Sequence, residues 1–234
     1  MIMKYTKYLA LTVFALGLST GMMAQRSTAF LELGAYGMTQ NYLGDVNGGS
    51  LNALTQEARF GLGTQLKYNF SSILSVGADV NYGSIYSHDN LHGNADRDYQ
   101  VDTDLLNVNL FTNIHFIPFG KYNLRNHHTP FVHLGTGALT YQPHLNTNAQ
   151  YPDGIALYPG TGHTYTYALG FGWRIRRSLK SFYNLSIYYN GFGASNIEGF
   201  NYESDWLVNN PQYRNGMDGS FTFKFGMSLG FFEQ

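Results

Sequence analysis

The chain has 234 residues, a formal net charge of −1 and no cysteine, which excludes disulfides and thiolate chemistry. Hydrophobic residues make up 44% and charged residues only 12%, whereas an ordinary soluble domain carries about 25% charged residues. Acidic residues outnumber basic ones, 15 against 14, a balance that argues against nucleic-acid binding. The 19 Tyr, 17 Phe and 27 Gly are typical of a β-protein whose outer face meets lipid.

The first 24 residues have the pattern of an export signal. Two lysines lie within the first eight residues, an apolar run covers residues 9–18, and the small residue Ala24 closes the segment. This order is typical of a cleavable secretory signal peptide. An uncleaved anchor helix is the alternative, but the run is shorter than the roughly 20 residues that span a bilayer. We predict a signal peptide over residues 1–24 and one barrel domain over residues 25–234.

Alternation with a period of two dominates the rest of the chain. Between Ala58 and Phe70 the even positions are mostly apolar or aromatic, and the odd positions are small, polar or charged. This pattern indicates a β-strand with two different faces. It recurs in seven further segments, which cover residues 29–36, 74–82, 106–116, 132–138, 165–175, 183–190 and 220–231.

These eight segments predict an all-β fold, an eight-stranded antiparallel transmembrane β-barrel of the bacterial outer membrane. Each segment is close to the length that crosses a bilayer when tilted, and eight is the smallest even number in such barrels. The sheet must close on itself, because lipid offers no partner for open strand edges. We expect the apolar face to meet lipid; a soluble lipocalin-like barrel with reversed faces is the alternative.

The polar face is rich in small residues, which suits the narrow lumen of eight strands. The predicted lumen charges are Glu32, Arg59, Lys67, Asp79, Arg174 and Lys224. Buried charges need partners, so we expect a structural plug of ion pairs. A proton or solute path is the alternative, and the narrow lumen argues against it.

The predicted connections alternate in length, as expected for short periplasmic turns and longer outer loops. The short ones cover residues 70–73 and 176–181, and the long ones cover residues 37–56, 87–102, 141–164 and 191–216. With both termini in the periplasm, the connection 117–128 lies on the short-turn side and yet is long. Its polar and aromatic residues are candidate contacts for a periplasmic partner, namely Lys121, Tyr122, Arg125, His127 and His128.

The last strand ends on alternating large and small residues. Phe225, Gly226, Leu229 and Phe231 form a pattern that resembles the C-terminal signal read by the bacterial barrel-assembly machinery. Another ordinary alternating strand is the alternative interpretation.

Few residues are arranged for chemistry. His88 and His92 are four residues apart near two aspartates, but they lie in a Gly- and Asn-rich loop, so we predict solvated side chains and no metal. His133 or His163 with a loop serine would be the candidates in an enzyme that modifies lipid A, but no nucleophile motif accompanies them. We therefore predict a non-enzyme without cofactor, metal or small-molecule substrate, whose surroundings are outer-membrane lipid.

The first mature strand carries a resemblance to a known family. Glu32-Leu33-Gly34 leads into Asn41-Tyr42-Leu43-Gly44-Asp45, and Thr129-Pro130-Phe131-Val132 opens the fifth strand. These motifs resemble the PorG-like barrels of Bacteroidetes over most of residues 26–231. After the seventh predicted strand, where that family often has Thr-Asp-x-Leu-Asp, this chain has Gly193-Ala194-Ser195-Asn196-Ile197-Glu198.

The resemblance implies a component of the type IX secretion system. Such barrels associate with a periplasmic ring of PorK- and PorN-type proteins, so the implied role is anchoring or stabilising that machinery. A general structural or adhesion barrel is the alternative function, and a lipid A-modifying enzyme is a more distant one.

Overall fold

The computed structural model describes residues 29–43, 56–88, 100–120, 123–144, 155–157, 160–194, 197, 199–202 and 218–231. Its ten strands are β1 (Phe30–Leu43), β2 (Arg59–Asn69), β3 (Leu74–His88), β4 (Gln100–His115), β5 (His128–Pro143), β6 (Ile155–Leu157), β7 (Gly162–Arg176), β8 (Ser181–Phe192), β9 (Phe200–Tyr202) and β10 (Gly219–Phe231).

Eight strands form a closed barrel in the order β1-β10-β8-β7-β5-β4-β3-β2. All neighbouring pairs are antiparallel, and β1 closes the barrel against β10. The predicted fold class is confirmed. The remaining strands, β6 and β9, pair with each other in a separate two-stranded sheet. Both segments lie in connections that the sequence predicts to be long, 141–164 and 191–216, because three-residue strands are too short to show alternation.

Several barrel strands are longer than the sequence predicted. β1 continues to Leu43, and β3 and β4 stay paired as far as His88 and Gln100. The alternation of hydrophobicity fades there, since polar Thr39 and Asn41 replace apolar residues on the outer face of β1. Backbone pairing does not depend on that pattern, so the ladder continues beyond it.

The barrel has two unlike ends. The end that carries the connections 70–73, 116–127 and 177–180 is called the turn end here, and the opposite end is called the loop end. In the turns, Phe70 N–H donates to Leu74 O at 3.0 Å and Arg177 N–H donates to Ser181 O at 3.0 Å. Among the described residues, no helix has the length and apolar character to cross a membrane.

The apolar and polar side chains are distributed between the two faces of the barrel wall as predicted. Large apolar side chains stand exposed on the outside; in β2, Phe60 is 84% and Leu62 is 74% exposed. The inside holds charged, amide and hydroxyl side chains together with aromatic rings. A barrel with an apolar exterior and a polar interior suits lipid surroundings, not water.

Candidate functional site: the filled lumen and the turn end

Near the turn end, the lumen contains one carboxylate between two cations. Glu32 Oε2 lies 2.9 Å from Lys67 Nζ, and Glu32 Oε1 accepts a hydrogen bond from Arg174. Asn69 Nδ2 and Ser228 Oγ also donate to this carboxylate, at 2.9 and 3.1 Å. The three charged side chains are no more than 2% exposed. Buried charges are tolerated only when they are paired and hydrogen-bonded in this way.

An aromatic lid closes the lumen between this charged group and the turn end. Phe30, Phe119 and Phe182 form a buried cluster at the turn end. The Arg174 guanidinium carbon lies 4.2 Å from the centroid of Phe182 and 5.0 Å from that of Phe119. Arg176 contacts the same two rings and donates to Gly120 O at 2.7 Å. The lid and the ion pairs therefore form one connected structure.

A second charged group lies in the lumen on the loop-end side of the first. Lys224 Nζ is 3.3 Å from Asp79 Oδ2 and packs over the rings of Tyr36 and Tyr188, with centroids at 4.5 and 4.9 Å. The other oxygen of Asp79 accepts hydrogen bonds from Asn81 and Asn109, at 3.0 and 2.9 Å. The two tyrosine rings occupy space that a solute would need.

Arg59 differs from the other five predicted lumen charges. It is half-buried at the start of β2, and its guanidinium lies 4.1 Å from the centroid of the Tyr86 ring. It therefore belongs to the loop-end rim and not to the internal ion pairs, which corrects the sequence prediction. The period-two pattern gave its face correctly, but a long side chain at a strand end can turn away from the lumen.

Apolar residues close the loop end as well. The buried cluster there consists of Tyr42, Ile85, Leu105, Leu139, Tyr141, Phe192 and Ile197. Ile197, from the connection after β8, is fully buried, and its carbonyl accepts a hydrogen bond from Thr103 at 2.8 Å. Between the two ends, a lumen cavity beside Lys67, Tyr188 and Lys224 measures about 20 Å³, room for about one water molecule.

The connection 116–127 is folded into the barrel mouth. Phe119 N–H donates to Ser72 O at 2.7 Å, and Gly120 has a φ of +147°, a conformation that suits glycine. Asn126 Nδ2 donates to Pro118 O at 2.8 Å, which fixes the turn from within. The extra residues of this connection therefore place Phe119 in the lid at the turn end.

The predicted contact residues of this turn have different surroundings. Lys121 and Tyr122 lie outside the described residues. Arg125 and His127 are exposed. The ring of His128 stacks on Trp173 on the outer face, with 5.5 Å between centroids. His128 therefore belongs to the outer wall of the barrel at its turn end.

The histidines considered for chemistry are not brought together. His133 is buried, with Nδ1 2.8 Å from Asn113 Oδ1, whereas His163 is exposed and contacts Thr140 Oγ1 at 3.0 Å. His88 lies at the end of β3, and His92 is outside the described residues. Within the described ranges, no group of three metal-ligating side chains is present.

The predicted barrel-assembly residues lie on both faces of β10. Phe225, Leu229 and Phe231 are 56%, 48% and 55% exposed on the outer face, and Gly226 faces inward beside Tyr36. Their recognition by assembly machinery stays a prediction.

Sequence reasoning missed the two lids. Phe119 and Ile197 lie in connections, where alternation gives no information about which side chain is buried. Phe is among the residue types that are most often buried, which made Phe119 a candidate, but Leu124 in the same connection is exposed, so residue type alone does not decide burial there.

The closed barrel, its apolar exterior and its filled lumen define a small eight-stranded barrel of the outer-membrane type. The structure of Neisserial surface protein A is similar, with a TM-score of 0.52 at 10% identity, over 88% of this chain and 98% of that chain. OprG of Pseudomonas aeruginosa has a TM-score of 0.47 at 12% identity, over 89% and 98% of the two chains. At 10% identity, the likeness to Neisserial surface protein A concerns the fold alone.

Residues 7–154 match the model of a family described as a domain of unknown function, DUF6089. The match covers more than half of the chain, so the chain belongs to this family. A comparison with curated proteins found no match.

Proposed function

We propose that this chain is a non-enzymatic anchor in the outer membrane that works through its outer surfaces and not through its lumen. The observation that carries the proposal is the filled interior. Two layers of buried ion pairs lie between an aromatic lid at the turn end and an apolar lid at the loop end. Among the described residues, these side chains leave room in the lumen for neither a solute path nor an open substrate pocket.

The finer proposal is that the turn end docks a periplasmic partner. The exposed charged side chains of its turns are Arg125, Arg177 and Lys180, and the described parts of these turns contain no acidic residue. Leu124 and Leu179 are also exposed, at 48% and 62%. A cationic surface with two exposed leucines suits an acidic protein face with an apolar recess.

The partner we propose is a ring of PorK- and PorN-type proteins, which makes the chain a stabilising component of a type IX secretion system. The support is the resemblance of the first and fifth strands and the cationic turn end. This finer proposal places the turn end in the periplasm. Its failure would leave the proposal of a general outer-membrane anchor unaffected.

The test must spare the lid. Replacing the whole turn by a short hairpin would remove Phe119 along with the surface, so we choose Leu124→Ser combined with Arg125→Glu. Arg59→Glu at the loop end is the matched control, because it makes the same charge change at the opposite end. The measurements are co-purification from outer membranes and the set of secreted proteins.

We expect the turn-end variant to lose the ring proteins and to secrete less, while the control behaves as wild type. A normal set of secreted proteins in a deletion strain would refute the secretion role and leave the general anchor standing. A deletion strain with altered attachment but normal secretion would favour the second candidate, an adhesion barrel that works through its long connections. Altered lipid A mass in the same strain would refute the non-enzymatic proposal.

A further inference from the structure

The charges of the two ion-pair groups in the lumen do not balance. Lys67 and Arg174 share the carboxylate of Glu32, and Lys224 faces the carboxylate of Asp79. Three cations therefore stand against two carboxylates. A buried charge without a counter-charge is costly, so this part of the lumen calls for one more negative charge.

The other charged side chains of the described interior do not supply it. The buried carboxylates of Glu57 and Asp218 lie at the loop end, where they accept hydrogen bonds from Ser87 and Tyr42 at 2.8 Å each. At the turn end, Arg176 adds a further positive charge beside the aromatic lid. The imbalance is therefore local to the lumen between the two ends.

A small polar cavity lies beside both lysines of these groups. Its volume is about 20 Å³, and the described residues that line it include no carboxylate. Its lining combines the two cations with neutral side chains that can donate hydrogen bonds, namely Lys67, Lys224, Gln65, Asn113, Asn184 and Tyr188. Such a lining suits an anion.

Donors are available there, and the volume selects a small anion. An ammonium group has three N–H donors, and the ion pair with Glu32 accounts for one of those of Lys67. Ser186 Oγ donates to Tyr188 Oη at 2.7 Å, which leaves the hydroxyl proton of Tyr188 for another acceptor. The cavity has room for about one particle the size of water, so phosphate and organic acids are too large, whereas chloride is only slightly larger than water.

We propose that this cavity binds one chloride ion, which completes the charge balance of the lumen. The ion lies beside Lys67 and Lys224 and stabilises the folded barrel, because it offsets positive charge that solvent does not screen. This role is structural and does not depend on any partner of the outer surfaces.

The test replaces the ion by a carboxylate of the chain itself. Gln65→Glu is nearly unchanged in size and adds a negative charge to the cavity lining, so this variant should no longer need the ion. Gln40→Glu is the matched control, because Gln40 is also buried but lies opposite Arg59 at the loop end, outside the cavity. Each full-length mature barrel is refolded and crystallised in bromide, whose anomalous scattering locates a bound halide.

We expect a bromide peak in the cavity of the wild type and of Gln40→Glu, and none in that of Gln65→Glu. A wild-type cavity without bromide would overturn the proposal and assign the cavity to water, with the excess charge removed by loss of a proton from a lysine. A peak of equal height in Gln65→Glu would also overturn it, since the ion would then not answer the missing charge.

A second measurement needs no crystal. Unfolding in lipid vesicles is followed at constant ionic strength while gluconate, which is too large for the cavity, is exchanged for chloride. Once the site is saturated, each tenfold rise in chloride should lower the unfolding equilibrium constant of the wild type about tenfold, whereas Gln65→Glu should not respond. A wild-type unfolding constant that is independent of chloride would contradict the proposal, whether or not the variants fold.

Discussion

At the scale of residues, the most consequential side chain is Glu32. It is the single carboxylate that lies between Lys67 and Arg174, and two neutral donors complete its hydrogen bonds. Removing one partner of a buried ion group leaves an uncompensated charge, which costs about 3–5 kcal/mol. The period-two pattern predicted that Glu32, Lys67 and Arg174 face inward. It did not predict that these three meet, because that depends on which strands face each other across the lumen.

Glu32→Gln should lower the free energy of unfolding by about 3–5 kcal/mol, because Lys67 and Arg174 then face each other without a carboxylate. The measurement is urea unfolding in lipid vesicles. Asp104→Asn is the control, since the side chains of its contact with His144 are 38% and 51% exposed and an exposed contact of this kind should be worth at most about 1 kcal/mol. Adding Lys67→Met to Glu32→Gln should recover part of the loss. Equal effects of Glu32→Gln and Asp104→Asn would contradict this account.

At the scale of elements, the connection 116–127 combines two roles. Its inner side supplies Phe119 to the turn-end lid, and its outer side exposes Leu124 and Arg125. The sequence marked this connection as longer than a barrel needs, and this observation was correct. Which residues fold inward was decided by tertiary contacts, above all by Arg176 and the carbonyl of Gly120.

Phe119→Ala should destabilise the barrel by about 3–5 kcal/mol, because it leaves a cavity beneath Arg174 and Arg176. Leu124→Ala, in the same turn but exposed, should change stability by no more than about 0.5 kcal/mol. Thermal unfolding followed by gel mobility measures both. If the two variants unfold alike, Phe119 does not hold the lid.

At the scale of the whole molecule, the barrel is a closed cylinder with a filled interior. Each lid combines inward-facing strand residues with one residue from a connection, Phe119 or Ile197, and the ion pairs link strands that are distant in the chain. Glu32 and Arg174, for example, are 142 positions apart. The interior contacts therefore link the barrel strands to one another, and the outer surface is free for contact with lipid and partners.

The wild-type barrel should conduct no ions in planar bilayers, because both lids and both ion-pair layers obstruct the lumen. Phe119→Ala should also stay closed, since the Lys224–Asp79 group and the loop-end cluster remain. Current recordings at fixed voltage measure this, with a known porin as the positive control. Stepwise conductance by the wild-type protein would show that the filled interior opens.

The sequence alone determined the strand type, the number of barrel strands and the side of the wall on which each side chain lies. These follow from the period of two, because successive side chains of a strand point to opposite faces. Only the tertiary structure decided which interior charges meet, that Arg59 lies at the rim, and that Phe119 and Ile197 close the ends. Contacts across a closed barrel depend on register and closure, and local alternation carries no information about either.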